Sequence, residues 1–576
     1  MKGRTIGGCV AVLVLCNGLV GRATGPSDVA DAVMNGEAAA LRTLLQKKSD
    51  VNAPQVDGTT ALHWAVYRDD LAAADLLLTS GANVKAATRE GVTPLAMASL
   101  YGSVPMVERL LKAGADARER GPNGETMVMF AARNGEPRLI ETLIAAGADV
   151  NASEGLRGTT ALMWAVEQQH PEAVKALLAA GADPGARSGP AGLPRNYVAN
   201  RVNLRAVDEA QQRRKRAAAA GRTYEQQLEW ERQQPASSQT QQQPTDDTEV
   251  VVAGLVGSGG GGLTALVLAA REGDFESARA LVDARADVNQ TTEYGWTPLL
   301  TAINNRNYEL AAMLIERGAD VNIANKGGWT PLYLATDNRN IEGGDYPVPK
   351  PDLDHLDIIT RLLEKGANPN ARVRENTLTR TIFTMQWFFE DGATAFARAA
   401  ESSDTVLMTL LLKHGADPAI PTANGDTALT LAGGIGWVEG VTYERSPQEN
   451  VQAVAMLLDL GLDANGANNE GRTPLMGAAL KGRDDVVRLL VNRGARLDAR
   501  DRGSRDTDKV GSAAAGHTWQ AIDYADGLVR AGVQGVIAHP ETSALIRTLM
   551  IERGLPVPPV DRTILSVCVV ALCQGP

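Results

Sequence analysis

Gly91-Val92-Thr93-Pro94-Leu95 opens a block of sequence that returns two hundred residues later as Gly295-Trp296-Thr297-Pro298-Leu299. Gly58, Gly91 and Gly124 stand 33 residues apart, as do Gly262, Gly295 and Gly328, and each precedes a Thr by two positions. The blocks close on runs such as Leu110-Leu111-Lys112-Ala113-Gly114-Ala115-Asp116. Self-similarity at this period marks an array of stacked units that share one long core.

Each block reads as a turn, a helix, a turn and a second helix. A Thr side chain can accept from an orphan N–H at a helix start, and a Pro in the first turn has no N–H to leave unpaired. Thr93-Pro94 and Thr330-Pro331 are therefore helix starts. The small pairs Ala131-Ala132, Ala269-Ala270 and Ala478-Ala479 let neighbouring helices approach, and Leu110-Leu111, Leu177-Leu178 and Leu489-Leu490 supply the apolar stripe. Gly114, Gly147, Gly181, Gly318 and Gly366 end the second helix, where a left-handed residue is wanted.

This period and the Thr-Pro-Leu core resemble the ankyrin repeat family. The resemblance implies an all-α repeat solenoid of stacked helix-turn-helix units with short β-hairpin turns, in roughly ten to twelve repeats, several of them carrying insertions. It also implies a non-enzymatic scaffold for protein–protein interaction, because exposed variable positions on a rigid stack can present a recognition surface.

Composition agrees with an array. Aromatic residues are 4% of 576, and a core built between helix pairs from Ala, Leu and Val needs few large rings. The net charge of −11 argues against a phosphate-backbone ligand, which requires clustered Lys and Arg, so no nucleic acid is expected as a partner. A monomer is expected.

Residues 1–23 read as an export signal: Lys2 and Arg4 precede an uncharged run over 6–20, and Gly21-Arg22-Ala23 offers small residues where a signal peptidase cuts. The run is too short to span a bilayer, so the mature chain is expected to have no transmembrane helix and to be periplasmic or secreted. Retention of the leader as an anchor stays open. Cys9 and Cys16 lie in the leader and only Cys568 and Cys573 remain, near the end; an exported chain would allow them to pair. A redox or electron-transfer accessory using that pair is the competing function, and a secreted effector acting on host proteins is a third.

The chain then divides into a repeat block over 24–188, an insertion over 189–261, a second repeat block over 262–557 and an apolar tail over 558–576. The insertion turns basic, with eight Lys or Arg against two acids over 195–222, then Gln-rich and finally Gly-rich. Its run Arg213-Arg214-Lys215-Arg216 is either a solvated face or a contact for an acidic partner or anionic surface. The second block carries further insertions near 340–353, 372–391 (with Trp387-Phe388-Phe389) and 440–447.

Catalytic and metal patterns are missing. The six His residues include no H-E-x-x-H, the chain has no G-x-S-x-G and no phosphate-binding loop, and no cofactor is implied. His63 and His414 fall where the resembled family itself keeps a structural His. Trp64 and Trp164 replace a buried Leu of the family and are expected in the core. Two exposed positions of the family supply the partner-contact candidates. The one after the turn Gly holds Trp296 and Trp329, with Tyr294 beside the first. The pair after the small residues holds Tyr67-Arg68, Leu100-Tyr101, Asn304-Asn305 and Asp337-Asn338.

Overall fold

The computed structural model describes residues 27–190, 261–340, 350–374, 391–437, 444–503, 518–529 and 537–560, together with the single residues 216, 220, 222, 230 and 562. The leader, the aromatic run at 387–389, most of the basic run and both C-terminal cysteines lie outside the described residues. Within them are 24 helices, arranged as twelve pairs, and the chain forms two compact units, Met1–Leu156 and Arg157–Pro576.

The first unit holds four pairs, from Asp28–Met34 with Ala38–Gln46 to Met127–Asn134 with Pro137–Ala145. The capping logic of the sequence holds: Thr93 Oγ1 accepts from Ala96 N at 3.1 Å, and Asp70 Oδ1 accepts from Ala73 N at 2.9 Å to start the paired outer helix Leu71–Thr79. Gly114 and Gly147 turn the chain at φ 97° and 96°, in the left-handed region. Leu62, Leu77, Leu95 and Leu110 are buried between helices, each contributing on the order of 2 kcal/mol of apolar burial. The expected β-hairpin turns reduce to one bridge, Arg120 with Thr126, among the described residues. The other loops close by local turns and by single backbone bonds between successive loops, such as Arg89 N to Asp57 O at 2.9 Å, with no paired strands among the described residues.

The second unit holds eight pairs, from Ala161–Glu167 with Pro171–Ala179 to Ala521–Ala525 with Pro540–Glu552. The expected break between two repeat blocks at 189–261 is not a break in the packing. Ser188 N donates to Leu263 O at 2.8 Å and Gly262 N to Gly189 O at 3.2 Å. Helix Ala161–Glu167 packs on Ala265–Glu272, and Pro171–Ala179 on Phe275–Asp283. The insertion leaves and rejoins the array at one turn, so the repeats on either side meet as direct neighbours.

Asn side chains staple successive repeats. Asn322 Nδ2 donates to Gly366 O at 3.0 Å while its Oδ1 accepts from Asn368 N at 2.8 Å, and Asn370 and Asn465 make the same pair of bonds later in the array. Gly433 and Gly477 let two inner helices come unusually close. A Cβ on Gly433 would sit 2.7 Å from Pro474 O, and one on Gly477 2.8 Å from Ile435 N.

Candidate protein-interaction surface and a buried charged seam

In the first unit, the last residues of the inner helices form a stripe. Met34, Tyr67 and Leu100 stand one 33-residue period apart at the same place in three repeats, followed by Arg133. All three are exposed apolar side chains, at 36%, 58% and 38%, and Tyr101 beside Leu100 is 51% exposed. The rings are ordered by one another. Trp64 meets Tyr67 edge-on at 5.6 Å, and Tyr67 meets Tyr101 edge-on at 5.9 Å. Trp64, expected in the core, is half-buried and donates through Nε1 to Gln55 Oε1 at 2.8 Å, so it serves as the floor under Tyr67.

The structural reading of His63 holds. Thr60 N lies 3.2 Å from its Nδ1, and its Nε2 lies 3.0 Å from Val92 O of the next repeat. Burial pushes the imidazole below its ordinary range, which suits a neutral ring that bridges two repeats.

In the second unit two of the equivalent helix ends, Asp337 and Glu401, are charged and buried. Arg398 takes the place that Trp64, Met97, Phe130 and Trp164 hold in other repeats. Its guanidinium donates to Asp337 Oδ1 at 3.0 Å, to Glu401 Oε2 at 3.0 Å, to Ser402 Oγ at 3.0 Å and to the Asn340 carbonyl. Arg339 makes two bonds to Asp404, which also accepts from Arg445 at 2.8 Å. Glu444 takes both Lys481 and Arg483 at 2.5 Å. Burial raises the Glu401 carboxyl to about 7 against the opposing pull of Arg398, and burial lowers the Lys481 ammonium. Tyr308 hydroxyl and His355 Nδ1 stand 2.9 Å apart, and burial, with Arg306 and Arg339 near, brings His355 down to about 4.

The structure separates the sequence candidates accordingly. Tyr67, Arg68, Leu100 and Tyr101 come together as one exposed patch. Tyr294, Asn304 and Asn305 are half-buried. Trp296 and Trp329 correct the expectation of an exposed face: they are 1% and 0% exposed. The backbone N–H of each bonds back into its own turn, to Thr292 Oγ1 at 3.1 Å and Asn325 Oδ1 at 3.0 Å, and Trp329 packs edge-on to Tyr333 at 4.9 Å. Asp337 and Asn338 are likewise buried, Asp337 by its pair with Arg398 and Asn338 by donating to Ile303 O at 2.6 Å and Tyr308 hydroxyl at 3.1 Å. Met34 was missed because its repeat lacks the Thr-Pro start, although it lies 33 residues before Tyr67. An Arg at the Trp64 position was the signal for the charged seam. Among the described residues no group of three His, Cys, Asp or Glu could hold a metal, and no helix is long and apolar enough to cross a membrane.

Comparison with known proteins places this geometry. The description "Ankyrin repeats (3 copies)" matches residues 29–120, 98–188, 250–325, 266–373 and 446–501, more than half of the chain. The chain belongs to the ankyrin repeat family, whose repeats serve as protein–protein interaction scaffolds. It is similar to Ankyrin repeat and SOCS box protein 16 of Homo sapiens, 34% identical over 161 residues, 25% of this chain and 34% of that protein. It is also similar to Cortactin-binding protein 2 of Mus musculus (34% over 112 residues) and Rattus norvegicus (37% over 112 residues), in each case 19% of this chain and 6% of the relative. The likeness thus spans about a third of the first relative's length and far less of the others.

Proposed function

We propose that this chain is an exported, non-enzymatic scaffold that holds a protein partner on the stripe Met34, Tyr67, Leu100 and Tyr101. The observation that carries the reading is the alignment of three exposed apolar side chains on successive repeats, with two tyrosines fixed edge-on. Exposed aromatics ordered in advance lose little entropy on binding and dominate interface hot spots. Export is supported by the leader pattern over residues 1–23.

Crosslinking capture from the periplasmic and secreted fractions, with the wild-type chain and a Tyr67→Ala/Tyr101→Ala variant, tests both parts. The partner should be held by the wild type and weakened at least tenfold in the variant, with the melting temperature lowered by no more than a few degrees. Equal capture by both proteins would refute the stripe, and recovery of the chain with its leader from the cytoplasm would refute export.

A further inference from the structure

The geometry of the stripe also specifies what class of segment fits it, an inference that rests on the docking reading above. Met34, Tyr67 and Leu100 recur once per repeat, and stacked helices lie roughly 8–10 Å apart. A ligand that sets one side chain against each must repeat at that distance and keep every contact on one face. A β-strand covers it in three residues, but three is odd, so successive contacts would point to opposite faces. A polyproline II helix advances about 9 Å in three residues and returns to the same face. An α-helix meets the distance too, at about 10.5 Å in seven residues.

The tyrosines decide between these two. Both rings are more than half exposed, and neither phenol is tied by a hydrogen bond to another described residue. An α-helix has already used its carbonyls internally, whereas a polyproline II segment has no internal hydrogen bonds and presents free carbonyls to a phenolic donor. Rings set edge-on also present exposed aromatic faces of the kind that proline rings pack against.

Charge sets the flank. Glu37 follows Met34 closely in the chain and Asp69 and Asp70 follow Tyr67, with Asp69 accepting from Ser103 Oγ at 2.6 Å, and residues 27–156 hold 12 Lys and Arg against 17 Asp and Glu. Arg68 is engaged within the chain: it donates to the Met34 carbonyl at 3.3 Å and its guanidinium lies over Gly36. Arg133 closes the other end. We infer that the stripe binds a proline-rich segment of Pro-x-x-Pro period with Lys or Arg at the end lying over Met34.

A phage library displaying random twelve-residue peptides, panned on the full chain, tests this. Pro-x-x-Pro sequences flanked by Lys or Arg should be enriched. The synthetic consensus should bind about thirtyfold more weakly to Tyr67→Ala/Tyr101→Ala, and about fivefold more weakly to Tyr67→Phe/Tyr101→Phe, which keeps the rings and removes the donors. Asp69→Asn/Glu37→Gln should weaken binding and reduce its salt dependence, with every variant melting within a few degrees of wild type. Enrichment of peptides with Leu at every seventh position, insensitive to the Phe variant but lost in the Ala variant, would overturn the polyproline inference and leave the docking surface standing. No enrichment, or enriched peptides that ignore both tyrosines, would overturn the inference and the docking reading together.

Discussion

The last residues of the inner helices do opposite things in the two units. In Met1–Leu156 they are Met34, Tyr67, Leu100 and Arg133, open to solvent; in Arg157–Pro576 the same places include Asp337 and Glu401, closed over with Arg398 between them. The repeat backbone is the same, and so is the capping. What differs is which groups face outward, so one register position can be a recognition surface in one stretch and an ionic core in another. Exposed aromatic area lowers the cost of binding, whereas a buried ion pair adds little stability of its own and punishes the loss of either partner.

That contrast predicts its own largest effect. Arg398→Ala leaves Asp337 and Glu401 buried without their cation and should cost about 3–5 kcal/mol, read by urea denaturation as loss of the second unit's transition. A Tyr67→Ala change, by comparison, should leave that transition in place. A cost below about 1 kcal/mol for Arg398→Ala would mean that the seam is solvated and the two units are more alike than described.

A second, intermediate effect is proton-linked. The folded Glu401 carboxyl, at about 7, lies above its usual value near 4.5, so the stability this group contributes is fully present below pH 4.5 and is lost as pH rises through 7. Glu401→Gln should therefore raise the melting temperature at pH 8 relative to wild type and remove the fall in stability above about pH 6.5. His355 runs the other way, its contribution being complete above 6.5 and lost as pH falls through about 4, so the region from pH 7 to 8 isolates Glu401. An unchanged slope in the Gln variant would show that the seam is proton-silent.

The smallest stability effect belongs to the stripe. Tyr67→Ala/Tyr101→Ala removes two exposed rings and their edge-on contacts and should cost less than about 1 kcal/mol, measured by thermal melting of the first unit. A larger loss would make the rings part of the first unit's packing and erase the contrast between the units.

Much of this was legible in the residues. Thr93 and Thr330 cap as their spacing implies, Gly114 and Gly318 turn left-handed, and His63 is a bridge between repeats. The stripe was only partly legible: Tyr67, Arg68, Leu100 and Tyr101 sit at the position expected to be open, and they are. The same rule failed for Asp337 and Asn338, because a position's exposure depends on what the neighbouring repeats bring to it, and here they bring Arg398 and Tyr308. Trp296 and Trp329 failed for a related reason. An indole after a turn Gly can point outward or fold onto its own repeat; both are buried, and Trp329 packs on Tyr333 of the helix it precedes.

By itself, then, the sequence determined the period, the helix starts and stops, the all-α class and the family, because these rest on local signals that recur every 33 residues and need no knowledge of distant partners. Only the tertiary structure decided which register positions are surface and which are core, that the repeats on either side of the insertion meet directly, and that Arg398 draws Asp337 and Glu401 into one cluster. Those outcomes depend on groups tens of residues apart competing for water, for charge and for space, and that competition is settled only when the repeats are stacked.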